Sequence, residues 1–72
     1  MKKYKPKEYI NKFGVEKATE VAIQAGTTYQ YLNQVALGFR NASPKLAKRL
    51  IEASGGRIDF EALVLAREAR DG

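Results

Sequence analysis

The sequence predicts an all-α protein of four or five short helices, and three observations support this fold class. Glycines and prolines divide the 72 residues into segments of helical length. Apolar residues within these segments recur every three or four positions, which is the spacing of one helix face. Serine, threonine and aspartate stand before several segments, where helix caps are expected. Because no linker or internal repeat is present, we expect residues 1–72 to form a single domain.

The first two predicted helices are separated by Gly14. The first helix follows Pro6 and covers residues 7–13, and its apolar positions are Tyr9, Ile10 and Phe13. The second helix carries a narrow apolar stripe that ends at Gly26. This stripe consists of Val15, Ala18, Val21, Ala22 and Ala25. Because alanine is small, we expect another helix to approach the stripe closely.

The third helix is predicted to begin at a threonine cap and to end near Leu37, before Gly38. Thr27 and Thr28 both offer a hydroxyl for the cap. Gln30 stands three residues after Thr27, which is the position of a capping-box partner. The side chains predicted to be buried by this segment are those of Leu32, Val35, Ala36 and Phe39. A loop over residues 39–42 follows.

The fourth helix is predicted to start at Ser43 and Pro44, a cap followed by a favourable first position. It ends at Gly55 and Gly56, and its predicted buried face consists of Leu46, Ala47, Leu50 and Ile51.

The segment after Gly56 has two interpretations. Asp59 can cap a last helix, with Ile58 and Leu63 forming a hydrophobic staple around the cap. Residues 57–60 can instead form a short extended stretch. In either case the apolar residues exceed what one small core needs, so we expect residues 57–72 to contain a dimer contact. The residues expected to supply it are Phe60, Leu63 and Val64.

The composition excludes several classes of function. The chain has no cysteine and no histidine, which excludes disulfides, the usual zinc clusters and catalysis by cysteine–histidine or serine–histidine pairs. Glu16 and Glu20 lie one turn apart, but no nearby residue completes a metal site or an acid–base pair. We therefore expect no enzymatic activity, no metal ion, no cofactor and no small-molecule substrate.

The chain also lacks the signals of membrane and secreted proteins. Its apolar runs are too short to span a bilayer, and no apolar segment follows the basic amino terminus as it does in a secretory signal. We expect a cytoplasmic protein that has no membrane partner.

Positive charge is concentrated at the amino terminus. The whole chain carries a net charge of +5, and residues 1–12 hold five lysines against one glutamate. Residues 57–72 carry four acidic and three basic side chains. A polyanion such as nucleic acid is the partner that this distribution favours. The alternative is a basic tail that only increases solubility.

Residues 18–38 resemble the helix-turn-helix motif of the phage repressor and Cro-like family. The residues that match the motif core are Val21, Ala22, Gly26, Leu32 and Val35. The turn and the following helix are especially similar to those of 434-type repressors, at Gly26, Thr27, Thr28, Gln30, Gln34 and Gly38. A weaker similarity continues through residues 43–56. The resemblance implies a λ-repressor-like domain, double-stranded DNA as partner, and a phage or prophage origin.

The third helix is predicted to present a row of amides to solvent. With Leu32 at the centre of the buried side, steps of about 100° per residue place four residues opposite it: Gln30, Asn33, Gln34 and Leu37. The amides at 30 and 34 stack one turn apart. A glutamine amide offers one donor and one acceptor edge, which match N6 and N7 of adenine in the major groove.

The resemblance implies that Tyr29, Gln30 and Gln34 occupy base-reading positions, with Asn33 at the adjacent one. Tyr29 departs from the amide found at this position in 434-type repressors, so it would stack on a sugar or contact a thymine methyl. The alternative for the glutamines is an ordinary solvated helix face. For Tyr31 we expect packing against the fourth or the first helix.

Phosphate contacts are predicted on both sides of the third helix, because such contacts fix the register of a protein on DNA. The predicted residues are Thr19, Thr28, Arg40, Asn41 and Lys45. Arg40 lies two residues beyond Gly38, where family members commonly carry a basic residue. Lys48 lies near Lys45 on the fourth helix, and the alternative for both lysines is solvated surface.

These patterns predict a transcriptional regulator that binds a palindromic operator as a symmetric homodimer. One alternative is a protein-interaction module, antitoxin-like or adaptor-like, in which the helix-turn-helix serves mainly as a scaffold. A second alternative is RNA binding through the basic amino terminus, although motifs that stack single-stranded bases are missing.

Overall fold

The computed structural model describes residues 2–71, with side chains described for residues 2–68, and confirms the all-α prediction. Residues 2–71 form six short helices instead of the expected four or five. They are α1 (Pro6–Phe13), α2 (Val15–Gln24), α3 (Tyr29–Ala36), α4 (Pro44–Ala53), α5 (Phe60–Val64) and α6 (Ala66–Asp71). Within the described range, none of these helices has the length and apolar character needed to cross a membrane.

The helix α2 lies at the centre of the fold and packs against α1, α3 and α4. Ala18 and Ala22 of α2 are fully buried, so the small side chains stand where neighbouring helices approach. Larger apolar side chains from most of the elements complete one core, and each contributes about 1.5–3 kcal/mol by leaving water. The largest of them are Tyr9, Val21, Leu32, Val35, Leu50, Ile58 and Leu63.

The turn between α2 and α3 is a Schellman-type helix end. The Gly26 N–H donates to the Ile23 carbonyl at 3.0 Å, and the Thr27 N–H donates to the Ala22 carbonyl at 2.9 Å. Gly26 has a φ of 85°, a left-handed conformation that costs about 1 kcal/mol or more for residues with a Cβ. This glycine therefore allows the chain to reverse at the point where α3 must begin.

The cap of α3 is Thr28. Its hydroxyl oxygen accepts a hydrogen bond of 3.1 Å from the backbone N–H of Tyr31, which decides between the two candidate threonines. Gln30 is consequently the second residue of α3, and the capping box expected between Thr27 and Gln30 is wrong. The side chain of Gln30 is left pointing outward.

The predicted caps of the later helices are confirmed. The Ser43 hydroxyl accepts from the Leu46 N–H at 3.2 Å, and the Asp59 carboxylate accepts from the Ala62 N–H at 3.1 Å. The alternative interpretation of residues 57–60 as a short extended stretch is also confirmed in part, because Ile58 forms an isolated parallel β-bridge with Tyr4.

The last segment divides into α5 and α6 because a distant loop takes over its hydrogen bonds. In a continuous helix the Arg67 N–H would donate to the Leu63 carbonyl. Here the Leu63 carbonyl accepts instead from the Ala42 N–H at 2.9 Å. The Arg67 N–H donates to Asn41 Oδ1 at 2.7 Å. The loop after α3 is thereby fixed to the carboxy-terminal helices.

Two residues expected in the core are exposed. Phe39 is 54% exposed, because α3 ends at Ala36 and the positive φ of Gly38 takes Phe39 away from the helix face. Val15 is 53% exposed at the first position of α2, before the stripe of that helix meets its neighbours. Ala36 is only partly buried.

The surface expected for a dimer contact is largely used inside the chain. Leu63 is fully buried, and Phe60 and Val64 pack against the core as partly buried side chains. The short α5 turns these residues towards α4, against which it packs. Leu65, which is 39% exposed, is the large apolar side chain that this region leaves accessible among its described residues.

Candidate nucleic-acid interface

The helix α3 has one buried face and one face of exposed amides. Leu32 and Val35 are buried against the core, whereas Gln30 and Gln34 are exposed. The two glutamines are four residues apart and lie on the same side of the helix, one turn above the other. The predicted outward direction of both amides is therefore confirmed.

The remaining residues of the expected reading face are less accessible. Tyr29 and Asn33 are half-buried, and Tyr29 packs against the core. These two side chains flank the exposed glutamines and can contribute only their outer edges to a partner. Gln30 is the least restrained member of the face, since no hydrogen bond to its side chain is found within the described part of the chain.

The residue Arg40 joins the reading face from the loop after α3. Its guanidinium lies over the ring of Tyr31, with Cζ 4.5 Å from the ring centroid, and a guanidinium nitrogen donates to Gln34 Oε1 at 3.3 Å. Tyr31 is partly buried against the core cluster and also serves as the platform for this cation. The sequence placed Arg40 and Gln34 in separate roles, whereas the structure brings them into contact.

The side chain of Asn41 has its carbonyl oxygen occupied by the Arg67 N–H. Because that partner can only donate, the atom of Asn41 facing it must be the oxygen. The amino group of Asn41 then points away with its donors available, and the residue is exposed. A donor is what a phosphate oxygen requires, so the internal bond is compatible with the predicted phosphate contact.

The two predicted threonines differ in their freedom to donate. The Thr28 hydroxyl acts as an acceptor in the α3 cap, which leaves its hydrogen available to a phosphate. The Thr19 hydroxyl instead donates to the Val15 carbonyl at 2.8 Å. A phosphate contact from the side chain of Thr19 would require that bond to break, so the structure gives less support to this residue.

The lysines of α4 are exposed, and one of them stands at an electrostatically unfavourable position. Lys45 lies in the first turn of α4, where the helix dipole is positive and acidic residues are favoured. A cation at this position does not stabilise the helix. An external anion, in contrast, would be attracted both by the lysine and by the positive end of the helix dipole. Lys48 is exposed one turn further along the helix.

Two amino-terminal lysines also lie near the reading helix, which the motif analysis missed. Lys5 and Lys7 line the same cleft, of about 420 Å³, as Leu37 and Gly38 at the end of α3. The run of lysines in residues 1–12 was the available signal, but its place beside α3 depends on how α1 packs. Because Glu8 also lines this cleft, the two lysines leave a single net positive charge beside the end of α3.

No family model, curated protein or solved structure matches this chain. Within the part of the chain that the structure describes, no three His, Cys, Asp or Glu side chains come together as a metal site. The site instead combines the amide and guanidinium donors of Gln30, Gln34 and Arg40 with Lys5 and Lys7 in the cleft at the end of α3, and such groups can bind the edges of bases and phosphates.

Proposed function

We propose that this chain is a sequence-specific DNA-binding transcriptional regulator that inserts α3 into the major groove. The observation that carries the proposal is the exposure of Gln30 and Gln34 on the face of α3 opposite to buried Leu32 and Val35. The major groove is wide enough to admit an α-helix, and amides on an accessible helix face can then form hydrogen bonds with the base edges. The resemblance of residues 18–38 to the repressor and Cro-like family supports the same function.

Cations beside the end of α3 and at the start of α4 support the proposal. Lys5 and Lys7 lie beside the end of α3, and Lys45 stands in the first turn of α4. Arg40 adds a further cation in the loop between those helices, next to Asn41, a neutral hydrogen-bond donor. Phosphate neutralisation by cations makes binding dependent on salt concentration. For duplex DNA the logarithm of the binding constant falls by about 0.9 per phosphate contact for each tenfold rise in salt concentration.

We further propose that the regulator binds as a symmetric homodimer in the cytoplasm, where its operator would lie. Apolar surface is supplied by exposed Phe39, in the loop between α3 and α4, and by exposed Leu65, between the two helices to which that loop is hydrogen-bonded. A two-fold axis would place the two reading helices about 34 Å apart, one turn of DNA, and would require a palindromic site. The Cα dimensions of 28 × 22 × 19 Å allow two copies to lie side by side at this spacing.

Selection of bound duplexes from a random pool tests the proposed function. The expected result is a palindrome whose half-sites are centred about 10 base pairs apart. Selection that yields no preferred sequence after repeated rounds would overturn the proposal. A preferred sequence without symmetry would leave base reading in place and remove the dimer.

A protein-interaction module is the second candidate, and the exposure of Leu37, Phe39 and Leu65 favours it. Under this function the partner would be a polypeptide and the glutamines of α3 would be solvated. Stable association with one polypeptide, together with no salt-dependent binding to any duplex, would support this candidate over DNA binding.

A further inference from the structure

The side chains of Tyr31, Gln34 and Arg40 form one connected cluster on the exposed side of α3. The ring of Tyr31 lies beneath the guanidinium of Arg40, within the distance of a cation–π contact. The same guanidinium donates to Gln34 Oε1. The contact crosses the turn at Gly38, so Arg40 reaches back over the helix that precedes it.

The direction of the Gln34 amide follows from the chemistry of its partner. A guanidinium has donors and no acceptor, so the amide atom that faces Arg40 is the carbonyl oxygen. The amino group of Gln34 then points away from Arg40. Because Gln34 is exposed, a partner meets this amino group first, with the spare N–H groups of Arg40 beside it.

We propose that Arg40 is a positioning residue for Gln34. By holding the amide oxygen, Arg40 makes Gln34 a hydrogen-bond donor to guanine instead of the combined donor and acceptor that adenine requires. This inference rests on the proposed function. Adenine presents a donor at N6 and an acceptor at N7, so it requires an amide whose oxygen and amino group both face the base, whereas Arg40 turns the oxygen of Gln34 towards itself. Guanine presents acceptors at O6 and N7, which match a cluster whose outward groups all donate. The base read by Gln34 is therefore guanine.

The base preference of the intact protein at one position of the selected site tests this inference. That position is identified as the base pair at which the Gln34→Ala variant no longer prefers any one of the four possible base pairs. The wild-type protein is expected to favour guanine over adenine there by about tenfold, within the range of a good amide or guanidinium contact. Arg40→Ala frees the amide oxygen, and the preference is expected to shift towards adenine by roughly fivefold or more.

Lys45→Ala is the matched control, since it removes an exposed cation that has no described contact with Gln34. This variant is expected to weaken binding evenly on all four base pairs and to leave the preference for guanine intact. If Arg40 contacts only phosphate and does not position Gln34, the Arg40→Ala variant is expected to show the same even loss as Lys45→Ala.

A measurement on the free protein gives a readout that does not depend on DNA. NMR relaxation of the side-chain amide of Gln34 is expected to show restricted motion, while Gln30, on the same helix face, moves freely. Arg40→Ala should raise the mobility of Gln34 to that of Gln30, and Tyr31→Leu should raise it to a smaller degree, while the backbone shifts of α3 stay in the range of a helix. Equal mobility of the two glutamines in the wild-type protein would overturn the inference.

The outcomes separate this inference from the proposed function. If the protein selects a defined site but prefers adenine where Gln34 reads, or if Arg40→Ala lowers binding equally on all four pairs, the positioning role is wrong and the DNA-binding function stands. A selected site at which Gln34→Ala alters no preference overturns the inference and the base-reading role of Gln34, and leaves sequence-specific DNA binding in place. Selection of no sequence would overturn both.

Discussion

Asn41 Oδ1 accepts a hydrogen bond of 2.7 Å from the backbone N–H of Arg67, 26 residues further along the chain. A side chain from the loop after α3 thereby caps α6, whose first amides have no partner within their own helix. The neighbouring Ala42 N–H donates to the Leu63 carbonyl at 2.9 Å. These two bonds fix the position of the loop that carries Arg40.

Asn41→Ala is expected to lower the free energy of unfolding by about 1 kcal/mol, the usual effect of losing a helix cap. Asn41→Asp keeps the acceptor and should retain most of the stability. Urea unfolding measures both effects, and hydrogen exchange at the Arg67 amide localises them. Unchanged protection of that amide in Asn41→Ala would show that the cap contributes nothing.

Ala22→Leu tests the close packing of α2. Ala22 is fully buried on the central helix, so a larger side chain must displace its neighbours at a cost of about 1–3 kcal/mol in unfolding free energy. Ile23→Ala is the control on the same helix, because Ile23 is 65% exposed and its loss should cost about 0.5 kcal/mol or less. Similar urea midpoints for the two variants would contradict the packing described for α2.

Tyr9 gives the fold a dependence on alkaline pH. Burial raises the pKa of its hydroxyl above the ordinary value of 10.0, opposed by Arg57 and reinforced by Glu20. A raised pKa in the folded state means that the folded protein holds this proton more tightly than the unfolded chain. The stability linked to Tyr9 is therefore complete well below pH 10, begins to decline from about pH 9, and is lost as pH rises through the folded-state pKa.

Comparison with Tyr9→Phe isolates this contribution, since the other tyrosines and the lysines titrate in both proteins. The unfolding free energy of the wild-type protein is expected to fall relative to that of Tyr9→Phe between about pH 9 and pH 11. Urea unfolding at a series of pH values measures the difference. A difference that stays constant over this interval would contradict the raised pKa.

Leu65→Glu tests the proposed homodimer. Leu65 is exposed in the carboxy-terminal region, so a charge there should prevent association of apolar surfaces without disturbing the core. Light scattering is expected to show a dimer for the wild-type protein and a monomer for Leu65→Glu. Ile23→Glu, at another exposed apolar position, should leave the mass unchanged. A dimer that persists in Leu65→Glu would exclude this surface as its interface.

Sequence patterns predicted the first four helices well because their limits are set locally. Gly14, the cap at Ser43 and the turn at Gly26 act on residues within one or two turns of themselves. The break between α5 and α6 was not predicted, because bonds from Asn41 and Ala42 create it across a long stretch of chain. A helical period alone contains no information about such contacts.

For the candidate site, the sequence predicted which side chains of α3 are exposed but did not predict the contacts that they make with other parts of the chain. The exposure of Gln30 and Gln34 follows from helical geometry once the buried face is known. The contact between Gln34 and Arg40 depends instead on how the chain turns at Gly38, which also takes Phe39 away from the core. The presence of Lys5 beside α3 depends on the packing of α1, which local patterns do not define.

The central claim is that the exposed amides of α3 read base edges, and one binding measurement tests it directly. The affinities of the wild-type protein, Gln30→Ala and Gln34→Ala are compared on the selected duplex and on a scrambled duplex at one salt concentration. Each substitution is expected to cost about 1–3 kcal/mol on the selected duplex and little on the scrambled one. Gln24→Ala, an exposed glutamine at the end of α2, should change neither affinity. Equal losses on both duplexes, or no loss on either, would contradict the claim.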